Sequence, residues 1–283
     1  MTLWKRFVEL VRFEQTLFAL PFAYAGMLLA AGGWPGLSVF GWVTLAMVGA
    51  RTGGMCANRL IDAEIDARNP RTADRPLPTG RISRRTVALL MAASLSLLCF
   101  AAGQLNATCA LLSPVAVCLL VGYSYLKRVT WACHLGLGLV QACAPIGGWL
   151  AVSGSFAPGP LWLGAAIFLW VAGFDVLYAC QDIEIDRRDG LHSLPARIGP
   201  ERAFRVSRLF HVGTVLSLGM AGATLGLGLP YYAGVGLIGA MLVYEHQLLK
   251  PDDLGKMQQA FFVANAFVSV TFLVSILLEV FGP

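Results

Sequence analysis

Charged side chains are scarce in this sequence: Lys, Arg, Asp and Glu together make up 13% of its 283 residues. Soluble domains of ordinary composition carry roughly 25% charged residues, so the scarcity excludes that class. Hydrophobic residues, by contrast, reach 57%. The composition therefore predicts an integral membrane protein.

Cysteine pairs and basic runs are also lacking. The seven cysteines stand singly in or beside apolar segments, with no CxxC motif, which excludes a disulfide or zinc framework. The four histidines show no metal-ligand spacing, and we expect them to be structural. The net charge of +5 includes no basic arm, so nucleic acid is not an expected partner. No feature indicates an obligate protein partner.

We expect no removable signal peptide in this sequence, because no small-residue cleavage site follows a short apolar core. Residues 1–13 mix charged and apolar side chains at helical spacing. They predict an amphipathic helix that lies at the membrane surface.

Long apolar segments fill most of the chain, and most of them reach the roughly 20 residues that the hydrocarbon core of a bilayer requires. We predict an all-α membrane protein with about nine transmembrane helices, near residues 15–33, 37–58, 84–104, 107–126, 132–152, 159–182, 207–228, 230–248 and 259–281.

Positive charge alternates between the predicted loops. All but one of the twenty-one Lys and Arg residues lie at the N-terminus or in every second loop. By the positive-inside rule, the N-terminus and these loops are cytoplasmic, and the C-terminus lies outside. We expect a multi-pass protein of a bacterial-type inner membrane.

Two of the positive loops begin with clusters of acids. In NRLIDAEID, Asn58, Asp62 and Asp66 follow one another at four-residue steps, and QDIEID repeats this step with Asp182 and Asp186. Four residues turn a helix by about 40° beyond one full turn, so each set would line one helical face.

A weak internal repeat accompanies these clusters. Arg51 lies seven residues before Asn58, as Asp175 lies seven before Asp182. We predict a single domain, 1–283, in which two related halves share one cavity beneath a charged cap; the halves and the final helix would cover residues 15–126, 132–248 and 259–281.

Opposed carboxylates and cations suit a diphosphate bridged by Mg²⁺, because this ion takes one or two carboxylates together with phosphate oxygens. Basic residues that could bind the phosphates directly lie near the acids. They are Arg68, Arg71, Arg75, Lys127, Arg128, Arg187, Arg188 and Arg197. The alternative for each is a solvated charge at the membrane surface.

Ionisable residues inside a span are costly and normally face a protein interior. Arg51 could bind the carboxylate of an organic substrate, or extend to the interface. Asp175 could pair with Arg51 or with another basic group. In YSYLK, Tyr123 and Lys127 share one face; Lys127 could reach the diphosphate, and Tyr123 could face a developing cation or belong to an interfacial belt.

These motifs resemble the UbiA superfamily of intramembrane prenyltransferases: NRLIDAEID is similar to its NxxxDxxxD motif, QDIEID to its DxxxD-type motif, YSYLK to its YxxxK motif and DRPLPTG to its basic loop. The resemblance implies an all-α bundle around a central cavity, with prenyl diphosphate bound through Mg²⁺. It assigns the metal to Asp62, Asp66, Asp182 and Asp186, phosphate to Lys127 and Arg75, and the aromatic acceptor to Arg51 and Asn58. Arg59 departs from the family pattern.

The resemblance implies transfer of a polyprenyl group to the carbon ortho to the phenol of 4-hydroxybenzoate, for quinone biosynthesis. A dihydroxynaphthoate of the menaquinone pathway fits Arg51 equally well. The expected partners are prenyl diphosphate, a carboxylated phenol and the lipid bilayer. The alternative functions are prenyl transfer to another acceptor and transport of an organic anion.

Overall fold

The computed structural model describes residues 9–10 and 13–282. The described part is helical, with one isolated β-bridge between Lys250 and Asp253. The long helices are α1 (Phe13–Ala31), α2 (Leu37–Ile61), α4 (Arg84–Leu105), α5 (Ala107–Leu126), α6 (Cys133–Ser153), α7 (Pro158–Ala179), α10 (Pro200–Leu225), α11 (Leu229–Leu248) and α12 (Met257–Phe281). The short helices are α3 (Ala63–Arg68), α8 (Ile183–Arg188) and α9 (Leu194–Ile198).

The predicted all-α fold is confirmed, and the described residues contain a long helix at each of the nine predicted spans. Five helical segments in the described part are long and apolar enough to cross a membrane: Arg84–Leu105, Ala107–Leu126, Cys133–Ser153, Pro158–Arg188 and Met257–Phe281. The count of nine crossings stays a prediction. The predicted N-terminal amphipathic helix falls mostly outside the described residues.

Polar caps and glycines set several helix ends. The side chain of Asn106 accepts a hydrogen bond from the backbone N–H of Cys109 at 2.9 Å and so begins α5. Its amide donates to the carbonyl of Leu150 at 2.8 Å, which fastens this turn to the end of α6. At that end Gly154 adopts a φ of 65°, a left-handed conformation that glycine enters without strain.

Small residues let the central helices approach closely. A Cβ atom on Gly148 of α6 would lie 2.0 Å from the carbonyl oxygen of Ala23 on α1, and one on Gly26 would lie 2.1 Å from that of Pro145. Close backbone contact of this kind is common between membrane helices. Helix α1 also packs against α12, so the last long helix lies beside the first.

The acidic motifs lie where two long helices break. Helix α2 ends at Ile61, and α3 begins at Ala63 after Asp62, whose φ and ψ are −92° and 3°. Helix α7 ends at Ala179, and Asp182 has a similar φ and ψ of −110° and 7° before α8. The straight helical face predicted for each motif is therefore interrupted at its first aspartate.

Candidate active site

Both acidic motifs border one polar cavity of about 340 Å³. The structure brings most of the predicted residues to its wall: Arg51, Asn58, Asp62, Asp66, Arg71, Arg75, Tyr123, Lys127, Asp175, Asp182 and Asp186. Arg68 and Arg197 do not line it. Arg68 instead reaches Asp189 at 3.3 Å, and Arg197 stacks over the ring of Trp131.

Asp62 is almost fully buried and is held by three side chains. Lys127 Nζ lies 2.7 Å from Oδ2, and Arg128 Nη1 lies 3.1 Å from Oδ1. The amide of Asn58 donates to Oδ2 at 2.9 Å. The YxxxK segment thus contacts the first acidic motif directly.

Asp66 pairs with the basic loop that follows it. Arg75 Nη1 donates to both carboxylate oxygens at 2.7 Å. Arg59, the residue that departs from the family pattern, lies 3.9 Å from the same carboxylate and donates to the amide oxygen of Asn58 at 3.3 Å. Arg59 is buried, so its guanidinium contributes positive charge to the surroundings of Asp66.

Asp182 is bound by residues of the first loop, and this contact joins the two motifs. The Nε of Arg71 donates to Oδ1 at 3.0 Å and its Nη2 contacts Oδ2, while the amide of Asn69 donates to Oδ1 at 3.0 Å. Burial lowers the pKa of Arg71, but the hydrogen bond and charge of Asp182 outweigh burial and raise it above the usual value. Arg71 therefore stays charged.

Asp186 is held by the loop after α8. Ser193 Oγ donates a hydrogen bond to Asp186 Oδ2 at 2.6 Å. The same oxygen accepts a hydrogen bond from the backbone N–H of Ala196 and so caps the start of α9. Next to this loop, Arg188 bonds Asp189 at 2.8 Å, and that hydrogen bond lowers the pKa of the Asp189 carboxyl. Asp189 faces Arg68 rather than the cavity.

Asp175 pairs with His134 and not with Arg51. His134 Nδ1 lies 2.6 Å from Asp175 Oδ2, and the backbone N–H of Leu194 donates to His134 Nε2 at 3.2 Å. Because Nε2 accepts, Nδ1 is the protonated nitrogen that donates to Asp175. His134 was expected to be structural only; it lies on the cavity wall and connects Asp175 to the Ser193 loop.

A second cavity, of about 360 Å³, adjoins the first and shares part of its wall. Arg51 and Tyr123 line both cavities, together with Met55, Leu137 and Gln141. The other lining side chains are almost all apolar and come mainly from α2, α4, α5 and α6, as far as Leu105 and Phe156. A charged chamber therefore opens into an apolar one.

The donor set of the polar cavity fits a magnesium-bound diphosphate. Among the described residues, no three His, Cys, Asp or Glu side chains form a group that could hold a metal. Mg²⁺ does not require such a group, since it binds through one or two carboxylates and completes its shell with phosphate oxygens and water. Cations already stand beside each aspartate that would take part, except Asp186.

A helical membrane bundle with a charged cavity and an adjoining apolar one is suited to an enzyme that acts on an amphiphilic anion. The chain belongs to the UbiA prenyltransferase family, whose pattern matches residues 19–270. It is therefore a prenyltransferase, as the motifs predict.

Known relatives agree with this assignment. The mitochondrial 4-hydroxybenzoate polyprenyltransferase of Drosophila pseudoobscura pseudoobscura is 33% identical over 97% of this chain and 70% of its own length. A UbiA homolog from Aeropyrum pernix K1, solved in its apo form, is 34% identical and superposes with a TM-score of 0.86 over 94% of this chain and 98% of its own.

A UbiA homolog from Archaeoglobus fulgidus, solved with DMAPP and Mg²⁺, shares the fold with a TM-score of 0.77. It is 21% identical to this chain, and the match covers 97% of this chain and 99% of that one.

Proposed function

We propose that this enzyme transfers a polyprenyl group from a prenyl diphosphate to the ring carbon ortho to the phenol of 4-hydroxybenzoate and releases diphosphate, in quinone biosynthesis. The observation that carries the proposal is the contact of Arg71 and Asn69 with Asp182, which closes both acidic motifs over one cavity. The named activity of the Drosophila relative supports this acceptor.

The diphosphate would lie between the two motifs. Asp62, Asp66, Asp182 and Asp186 would hold Mg²⁺, and the ion would supply positive charge to the departing diphosphate. Lys127, Arg71 and Arg75 point into the same space and would bind phosphate oxygens directly. Because these cations are paired with the aspartates, they are positioned before the substrate arrives.

The prenyl tail would occupy the apolar cavity. Each methylene transferred from water to an apolar site gains about 0.8 kcal/mol, so a long tail strongly favours such a space. Tyr123 lies at the junction of the two cavities, where its ring would face the allylic cation that forms when the diphosphate departs.

The acceptor would bind beneath the diphosphate, with its carboxylate towards Arg51. The bond from the allylic carbon to the diphosphate oxygen breaks, and its electron pair leaves with the diphosphate. The ring carbon then attacks the allylic cation and forms the new carbon–carbon bond. The ring proton then passes to the diphosphate or to a carboxylate of the cavity, which restores aromaticity. No covalent enzyme intermediate is needed.

The experiment is an assay of the purified enzyme with geranyl diphosphate and 4-hydroxybenzoate, with products identified by mass spectrometry. Geranylated 4-hydroxybenzoate and diphosphate should form in MgCl₂ and not in excess EDTA. A parallel assay with 1,4-dihydroxy-2-naphthoate tests the menaquinone-pathway acceptor. A protein that releases no diphosphate with either acid would contradict the proposal and favour transport.

A further inference from the structure

Two buried polar side chains on the wall of the polar cavity have no hydrogen-bond partner in the described part of the protein. Asn265 on α12 is 1% exposed, and neither its Oδ1 nor its Nδ2 is bonded. Trp170 on α7 is 3% exposed, and its Nε1 is also unbonded. Such groups are costly to bury, so each requires an explanation.

Aromatic rings surround these two side chains. The ring of Phe174 lies 5.5 Å from those of both Trp170 and Phe261, measured between centroids. Phe261 precedes Asn265 by four residues and therefore shares its face of α12. All four side chains border the polar cavity. The wall thus offers apolar faces to a flat ring and hydrogen-bonding groups to a polar substituent.

The depth of Trp170 indicates which substituent this part of the wall would meet. Trp170 is twelve residues before Asp182, and Arg51 is eleven before Asp62, so both lie roughly 16–18 Å below the acids along their helices. Trp170 is therefore about as deep as Arg51. In 4-hydroxybenzoate the phenol edge must face the prenyl group near the diphosphate. The carboxylate, across the ring, points to the deep end.

We propose that Trp170 and Asn265 form a subsite for the carboxylate of the aromatic acceptor, complementary to Arg51. This inference rests on the proposed function. Trp170 Nε1–H and Asn265 Nδ2–H donate to the carboxylate oxygens, which can accept several hydrogen bonds. Arg51 supplies the opposite charge, and the two neutral donors set the orientation of the ring. Both side chains thereby determine acceptor specificity.

The test uses Asn265→Leu and Trp170→Phe, which remove the polar atoms and keep most of the packing. Each should raise the KM for 4-hydroxybenzoate about tenfold, the loss of one hydrogen bond to a charged group. The KM for geranyl diphosphate and the dependence on Mg²⁺ should not change. Ser275→Ala is the matched control, since Ser275 is buried on α12, bonds the carbonyl of Phe272 and does not line the cavity.

Binding without turnover provides a second readout. 4-Hydroxybenzoate should raise the melting temperature of the wild-type protein and of Ser275→Ala, and both cavity variants should lose most of that shift. Geranyl diphosphate with Mg²⁺ should stabilise all four proteins. Asn265→Asp keeps the size of the side chain. It should weaken the binding of 4-hydroxybenzoate still further, because the new carboxylate repels the carboxylate of the substrate.

The possible failures are distinguishable. If the wild type prenylates 4-hydroxybenzoate and the folded variants do so with unchanged KM and unchanged thermal shift, the subsite is wrong and the proposed function stands. If the wild type does not prenylate 4-hydroxybenzoate, the proposed function is wrong. Even in that case, the subsite would be supported if 4-hydroxybenzoate raised the melting temperature of the wild type and did not raise that of the two variants.

Discussion

At the scale of single residues, the four predicted metal-binding aspartates differ in their surroundings. Asp62 and Asp66 are buried and paired with cations, Asp182 is paired across the motifs, and Asp186 has Ser193 as its partner. Motif spacing was sufficient to predict that these residues share a site. Their partners Asn69 and Ser193 were not predicted, because each contact depends on a loop conformation that helical periodicity does not describe.

Removal of the Asp62 carboxylate should abolish prenyl transfer. Asp62→Asn keeps the size of the side chain but loses the charge that would bind Mg²⁺ and that pairs with Lys127. We expect kcat to fall at least about 100-fold, as is usual when a group that stabilises developing charge is lost. Glu64→Gln is the control, because Glu64 is an exposed acid two residues away. Equal activity of both variants in a diphosphate-release assay would contradict the metal site.

Arg51 should act on the acceptor and not on the diphosphate. Its backbone position lies about 16 Å below Asp62 along α2, and the residue borders both cavities. Arg51→Ala should raise the KM for 4-hydroxybenzoate about 30-fold or more, since loss of a buried charge partner costs at least about 2 kcal/mol. The KM for geranyl diphosphate should stay within about twofold. The measurement is steady-state kinetics in which each substrate is varied in turn. A rise in the KM for geranyl diphosphate alone would contradict this role. Arg68→Ala is the control, because Arg68 lies outside the cavity.

At the scale of the helices, α2 connects the two cavities. Its cavity-lining residues include Asn58 in the charged cavity, Arg51 in both, and Ala50, Ala46 and Val43 in the apolar one. Hydropathy predicted the helix well but could not identify this face, because apolar residues that line a cavity resemble those that pack a bundle. The depth of the apolar cavity is therefore known only from the structure.

Bulky residues along α2 should shorten the prenyl chain that the enzyme accepts. Ala50 and Ala46 both line the apolar cavity and are separated by about 6 Å of helix rise. Ala50→Phe should exclude all but the shortest prenyl diphosphates, and Ala46→Phe should admit chains about one unit longer. Ala93→Phe, on an exposed face of α4, should leave the preference unchanged. Competition among prenyl diphosphates of graded length, read by mass spectrometry, would exclude this cavity if the two α2 variants behave alike.

At the scale of the whole molecule, the two acidic motifs show the same construction. Helix α2 ends directly before Asp62, and α7 ends at Ala179, three residues before Asp182. The next aspartate of each motif lies in a short helix, Ala63–Arg68 or Ile183–Arg188. The repeat in the sequence predicted that the two sites correspond but not that the helices break there. Several of the residues that bind Asp62 and Asp182 next to these breaks come from distant parts of the chain, which a local sequence pattern does not describe. The division into two halves stays a prediction.

The orientation in the membrane follows from the same alternation of charge. The charged loops after α2, α5 and α7 contact one another at one end of the bundle. The positive-inside rule predicts that this end is cytoplasmic and that the end of α12 is outside. Alkaline phosphatase fused after Phe281 should be active, and green fluorescent protein fused at the same point should not fluoresce. The same reporters fused after Lys256, before α12, should give the opposite result. Identical readings from the two fusion points would mean that α12 does not cross the membrane, and the nine-span topology would then be wrong.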